Sequence, residues 1–111
     1  MLKVERNHIY ITRGDTMTLS VAPTLDGEAY TPNAEDKFRF ALALGYRNGN
    51  TASQLVMTKD IPVDTLTFTL SPEETKKLVY PEYVYDVELT HADGSVDTFI
   101  SGILTPMGEV I

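Results

Sequence analysis

The chain has 111 residues, 42% of them apolar, which suits one domain around one core. Nine Lys and Arg stand against sixteen Asp and Glu, for a formal net charge of −7, and no basic run exceeds Lys76-Lys77, so nucleic acid and anionic membranes are poor partners. The absence of cysteine excludes disulfides and thiolate metal sites, and MLKVERNHIY carries charge where a signal peptide needs an apolar stretch.

Alternation with period two, the strand signature, dominates the chain. Ile9 and Ile11 alternate with His8, Tyr10 and Thr12, and Met17, Leu19 and Val21 alternate with Thr16, Thr18 and Ser20. Paired as a hairpin, these strands set Ile11 opposite Met17 and Ile9 opposite Leu19, and Arg13-Gly14-Asp15 becomes a three-residue loop at an exposed tip. Gly14 supplies backbone freedom there, and Asp15 tolerates a left-handed conformation or caps the turn. A turn at Asp26-Gly27 and a polar loop to Asp36 follow. In KFRFALALGY, Phe38, Phe40, Leu42, Leu44 and Tyr46 share one face, and Arg39, Ala41, Ala43 and Gly45 share the other. Arg47 to Asn50 reads as a turn, and Leu55 and Met57 as a peripheral strand. From Thr65 to Leu70, Leu66, Phe68 and Leu70 face inward and the threonines outward.

Ser71-Pro72-Glu73-Glu74 is a capping box with proline at the first helical position, which predicts a helix of one or two turns ending near Leu78. Tyr83, Tyr85, Val87 and Leu89 then alternate with Val84, Asp86, Glu88 and Thr90, and Asp93-Gly94 marks a two-residue hairpin turn. A type I′ turn there pairs Leu89 with Thr98, Val87 with Ile100 and Tyr85 with Gly102, with Gly102 leaving room across from the bulky Tyr85. Phe99 points away from the core face, near Val84 and Ile103, and an apolar tail runs from Pro106 to Ile111.

About seven short strands with one short helix before the Tyr-x-Tyr strand predict an all-β fold, an antiparallel Ig-like β-sandwich spanning residues 1–111; an open barrel is the alternative. Tyr83 takes the position of a corner tyrosine and Tyr85 that of the core cysteine of disulfide-bonded Ig domains.

Three stretches, ITRGDT from Ile11 to Thr16, YVYDVEL from Tyr83 to Leu89 and DGSVDTFISGIL from Asp93 to Leu104, give the chain a family likeness. It resembles the small Ig-like domains of phages and prophages of Gram-positive bacteria, closest to the N-terminal domains of upper baseplate and tail-fibre proteins. The resemblance implies a non-enzymatic virion protein, made in the bacterial cytoplasm and assembled into a tail or tail-like particle. Its partners would be other tail or baseplate proteins or further copies of itself, with no cofactor and no catalytic residues.

The candidate chemistry is sparse. Asp86 and Glu88 share one strand face, and a pair of carboxylates can serve glycoside hydrolysis, but nothing in the sequence buries either one to raise its pKa. His8 and His91 lie far apart, and a metal site needs several convergent ligands. Asp93 to Asp97 is too short for a calcium loop of the helix–loop–helix type, and a hairpin turn explains it. Tyr80 is the surface aromatic on which a carbohydrate-binding alternative would rest. Arg13-Gly14-Asp15 matches a cell-attachment tripeptide, yet a turn accounts for its Gly and Asp. The small residues Ala41, Ala43 and Gly45, with Val84, Phe99 and Ile103, suggest a face covered by a partner or by the loop from Asp26 to Asp36.

Overall fold

The computed structural model describes residues 2–47, 51–52 and 54–108, and among these the chain is all-β with one short helix. The strands are β1 (Leu2–Glu5), β2 (His8–Thr12), β3 (Met17–Ser20), β4 (Thr24–Leu25), β5 (Glu28–Ala29), β6 (Lys37–Ala43), β7 (Tyr46–Arg47), β8 (Thr51–Ala52), β9 (Leu55–Ile61), β10 (Thr67–Leu70), β11 (Tyr83–Thr90) and β12 (Val96–Met107). The helix, α1, covers Pro72–Lys76. Among the described residues the strands number twelve where the alternation suggests about seven, because two-residue ladders close the loops as β4–β5 and β7–β8 and because β1 has no alternating signature. The expected turn after Arg47 and the last three residues of the apolar tail lie outside the described residues.

Six strands form one sheet in the order β1-β2-β12-β11-β6-β9, and β3 and β10 form a second layer. The large sheet is mixed: β2 runs parallel to β12 and pairs Ile9 with Leu104 and Ile11 with Pro106. β2 and β3 are therefore not the expected hairpin. β2 pairs with β1 and β12, while β3 pairs with β10, matching Met17 with Leu70 and Leu19 with Phe68. Ile11 and Met17, both fully buried, enter the core from different layers. The same alternation serves either arrangement, since it dictates which face is buried and not which neighbour is bonded. Pro106 and Met107, read as tail, belong to the same parallel ladder.

The core lies between the layers. Phe38, Phe40 and Leu42 of β6, Tyr85, Val87 and Leu89 of β11, and Leu104 of β12 pack against Met17, Phe68 and Leu70. The rings of Phe40 and Phe68 stack at 4.6 Å across the gap. β6 ends at Ala43, so Leu44 and Gly45 leave the strand before Tyr46 begins the next ladder. Leu25 and Tyr30 of the segment from Asp26 to Asp36 and its approach also pack on the core, so that stretch turns inward rather than covering the face of Ala41 and Ala43.

Two irregularities in the β11–β12 hairpin offset each other. Gly94 is left-handed at φ 90° while Asp93 is not, the Gly94 N–H donates to the His91 carbonyl, and the His91 N–H donates to the Ser95 carbonyl. This is the three-residue loop of a type I turn with a following left-handed glycine, in place of the expected type I′ pair. It shifts the register by one, so Leu89 faces Asp97 instead of Thr98. A bulge between Val87 and Glu88 shifts it back, restoring Val87 with Ile100 and Tyr85 with Gly102. The extra residue is Phe99. The bulge lets Phe99 and Ile100, consecutive in sequence, both pack on the core, and the Phe99 ring meets Phe38 edge-on at 5.8 Å. Phe99 is therefore not an outward interface residue.

Tyr83 and Tyr85 act as the strand pattern suggests, both buried. The Tyr83 hydroxyl accepts a hydrogen bond from the Tyr80 N–H at 3.2 Å, tying the segment after α1 to β11. The Tyr85 hydroxyl donates to the Asn7 carbonyl in the β1–β2 turn, where Arg6 and Asn7 both take positive φ. Gly102 lies under that bond, and a Cβ there would collide with the Asn7 carbonyl oxygen and the Tyr85 ring. Gly102→Ala is expected to lower stability by about 1–3 kcal/mol, the cost of overpacking. Gly45→Ala, where a Cβ meets open space, should change it by no more than about 0.5 kcal/mol. Urea denaturation of the two variants checks the contrast.

Candidate functional site

The loop that carries the chain between layers is Arg13-Gly14-Asp15. The Asp15 N–H donates to the Thr12 carbonyl at 3.0 Å, and Gly14 takes φ 89°, as the third position of a type II turn requires. The loop is not an exposed tip. The Arg13 N–H donates to the Met107 carbonyl at 2.9 Å, and its guanidinium donates to the Lys76 carbonyl at 2.7 Å, at the end of α1. The Gly14 N–H donates to the Thr75 hydroxyl at 3.1 Å, and that hydroxyl donates to the Asp15 carbonyl at 2.8 Å. Thr75 is fully buried. The capping box positions it: the Ser71 hydroxyl accepts from the Glu74 N–H, the Glu74 carboxylate accepts from the Ser71 N–H, and the other Glu74 oxygen meets Lys59 of β9 at 2.7 Å. Lys59 and the Ser71 amide hold the Glu74 carboxyl below its ordinary range. A tripeptide bonded to a helix end and a strand on its backbone and arginine side is a structural clasp.

A second polar cluster closes the opposite end of the core. The buried Asp36 carboxylate accepts from the Tyr30 hydroxyl at 2.6 Å and from the Asn33 N–H at 3.0 Å. The Tyr30 hydrogen bond, with the Asn33 amide, lowers the Asp36 pKa against the opposing effect of burial. His91 bridges outward, with Nε2 at 2.7 Å from Asp97 and Nδ1 at 3.9 Å from Asp36. Both ring nitrogens thus face carboxylates, which ties the loop before β6 to the β11–β12 hairpin. The Asp93 carboxylate accepts from the amide and hydroxyl of Ser95, which lower its pKa and brace the turn around Gly94. His8 stands far from this cluster, stacked on Tyr10 at 4.2 Å, with Nε2 at 2.8 Å from the Thr105 hydroxyl. Among the described residues no group of three or more His, Cys, Asp or Glu is placed to hold a metal ion.

The outer face of the large sheet is the third candidate, and here the structure joins residues that the sequence set apart. Ile103 pairs with Val84, Val84 with Ala43, and Ala43 with Leu55, giving an apolar row across β12, β11, β6 and β9. Leu55 is 62% exposed, and Val56 beside it is 37% exposed. The next row holds Ser101, Asp86, Ala41 and Thr58, and the one beyond joins Thr98, Glu88, Arg39 and Asp60. Arg39 and Glu88 form an ion pair at 2.8 Å. Gly45 lies past the end of β6 and Phe99 turns to the core, so neither belongs to these rows. The sequence marks Leu55 only as part of a peripheral strand, because its place in the row depends on a β6–β9 register that shifts at Leu42/Ala43.

Asp86 is half-buried in this face. Partial burial, then the neighbouring Glu88, raise its pKa, and Arg39 pulls it back. Nothing in the alternation predicts that burial, which depends on the flanking strands: Ala41 lies on one side of Asp86 and Ser101 on the other, with Val84 a step along the strand. Glu88 is engaged with Arg39, so the two carboxylates share a face without sharing a pocket.

Thr75→Val is expected to cost about 1–3 kcal/mol, because it removes the hydroxyl that accepts from the Gly14 N–H and donates to the Asp15 carbonyl. Thr18→Val, on the exposed Thr18–Thr69 hydroxyl pair, should stay within about 0.5 kcal/mol in the same thermal melts. For Asp86, a folded pKa above the unfolded one means that stability is complete below the unfolded pKa and is lost as pH rises through the folded pKa. Asp86→Asn should therefore raise the melting temperature at neutral pH, with the gain vanishing in acid; a pH series of melts on both proteins reads this directly. No protein-family model matches the chain, and no curated protein or solved structure matches it.

Proposed function

We propose that this chain is a non-enzymatic structural protein of a phage or prophage tail or baseplate, an Ig-like β-sandwich that works by protein–protein assembly. The observation that carries the assembly reading is the row Ile103–Val84–Ala43–Leu55 on the outer face of the large sheet, in which Leu55 is exposed, Val84 and Ile103 are half-buried and Ala43 is buried. Apolar side chains on the sheet face opposite the core are what a partner's surface would cover. The ion pair Arg39–Glu88 and the polar residues His8 and Tyr10 flank the row, the arrangement of an apolar centre with a polar rim. The phage assignment draws on the stretches ITRGDT, YVYDVEL and DGSVDTFISGIL and on the resemblance they carry.

Several features favour the Ig-like reading. The parallel β2–β12 pair, the buried Tyr83 whose hydroxyl holds the segment after α1, and the buried Tyr85 in the place of a core cysteine are features such a sandwich accommodates. Tyr80 is 55% exposed, but its amide bonds the Tyr83 hydroxyl and its ring leans edge-on against Tyr83 at 6.3 Å, which suits a corner better than a sugar platform.

The paired substitution Ala41→Glu with Val84→Glu should weaken self-association or binding to a neighbouring tail protein by about tenfold or more while the monomer stays folded. Sedimentation equilibrium over a wide concentration range, read with the gene neighbourhood, tests this. A protein that stays monomeric at high concentration and whose gene lies outside any phage-like cluster overturns the reading.

A further inference from the structure

Among the described residues the two layers are unequal, six strands against two, and β3 is hydrogen-bonded on one side only, to β10. The Val21 N–H donates to the Leu66 carbonyl at 2.8 Å. Hydrogen-bonded pairs alternate along an antiparallel ladder, so Leu19 and Met17 also address β10, and the backbone groups of Thr18 and Ser20 point away from it. Among the described residues those two make no other backbone hydrogen bond. Their hydroxyls do not cap the edge either, since they pair with Thr69 and Thr67 on the outer side of the layer.

A cleft of about 220 Å³ opens beside this edge, between the layers. Leu19 and Val21 form one wall, Val4 and Ile9 the other, with Val87 and Ile100 at its floor. Asn7, Ser20 and Tyr85 are its polar lining residues, and among the described residues no charged side chain lines it, in a chain of net charge −7. The volume falls below the roughly 300–1,000 Å³ of small-molecule sites and suits one or two aliphatic side chains. Val4 of β1 and Asn7 of the β1–β2 turn line the far side of the cleft, where the six-stranded sheet continues beyond the two strands of the small layer. A second copy pairing its own β3 here would have to place its large sheet where β1 and β2 already stand. A single extended segment has no such conflict.

We infer that the free edge of β3 takes up an extended peptide segment from another protein as a third strand of the small layer. The segment exchanges backbone hydrogen bonds with Thr18 and Ser20, and its inward-facing residue, uncharged and aliphatic to match the lining, enters the cleft between Leu19 and Ile9. This site is on the core side of the large sheet, opposite the Ile103–Val84–Ala43–Leu55 row, and stands apart from the assembly reading. The outer edge of β9 is a poorer acceptor, because Lys59 and Asp60 guard it.

The test uses the ¹⁵N-labelled chain and a lysine-flanked synthetic peptide of alternating threonine and leucine, followed by NMR titration and amide exchange. The expected result is shift changes at Thr18 to Val21 and at Val4 and Ile100, with slowed exchange of the Thr18 and Ser20 amides. A peptide with aspartate for its central leucine should bind at least about tenfold more weakly. Ser20→Pro removes the outward N–H while leaving the β10 ladder intact, and should abolish binding. Ala41→Glu with Val84→Glu should leave peptide binding unchanged, so failure here is separable from failure of assembly through the outer face. No shift change at millimolar peptide, changes confined to β9 or the outer face, or equal binding of the aspartate peptide would each overturn the inference.

Discussion

The buried hydroxyl of Thr75 is the contact on which the layered arrangement turns. At Arg13-Gly14-Asp15 the chain leaves a strand of the large sheet and enters the small one, and a chain that changes layer exposes backbone groups no ladder can satisfy. Thr75 meets two of them at once, accepting from Gly14 and donating to Asp15. It can do so because the capping box holds α1 at one orientation and because Glu74 is anchored to Lys59 of β9. A five-residue helix has little stability of its own. Here it acts as a bracket between the crossing loop and the two layers.

The inequality of the layers follows from that crossing. Once β2 stays with the large sheet, in parallel with β12, the small layer is left with β3 and β10 alone. The large sheet then has more apolar surface on its inner face than two strands can cover. The helix and the loop carrying Leu25 and Tyr30 cover part of it, and the cleft beside β3 is what remains. The outer face has a different origin. Its apolar row comes from side chains that alternate with the core residues of β6 and β11, so the same pleat that buries Leu42 and Tyr85 presents Ala43 and Val84 on the other side.

Much of the β content was legible from alternation. β6, β10 and β11 bury the large apolar residues their patterns nominate and α1 starts at its capping box, while Tyr85 meets Gly102 only because the bulge at Val87/Glu88 undoes the one-residue shift of the turn. The placement of Ala41, Val84 and Ile103 on the face opposite the core was legible for the same reason, whereas Ala43, in the same rows, is buried. Phe99 was not, because a bulge leaves no mark in a one-dimensional pattern: it inserts one residue and turns two neighbours to the same side. Leu55 was missed because its partner is assigned by a β6–β9 register that shifts at Ala43. The half-burial of Asp86 was missed because it depends on which strands flank β11.

The sequence by itself determined which faces of the strands are apolar, where the helix begins and which glycines must stand at turns. These depend on side-chain period, on capping chemistry and on the φ a residue can adopt, all of which are local. Only the tertiary structure decided that Arg13-Gly14-Asp15 crosses between layers instead of closing a hairpin. Both routes bury Ile11 and Met17, and they differ in which distant partner, β12 or β10, satisfies the backbone. Pairing between strands is a relation between segments far apart in the chain, and no stretch of residues carries it alone.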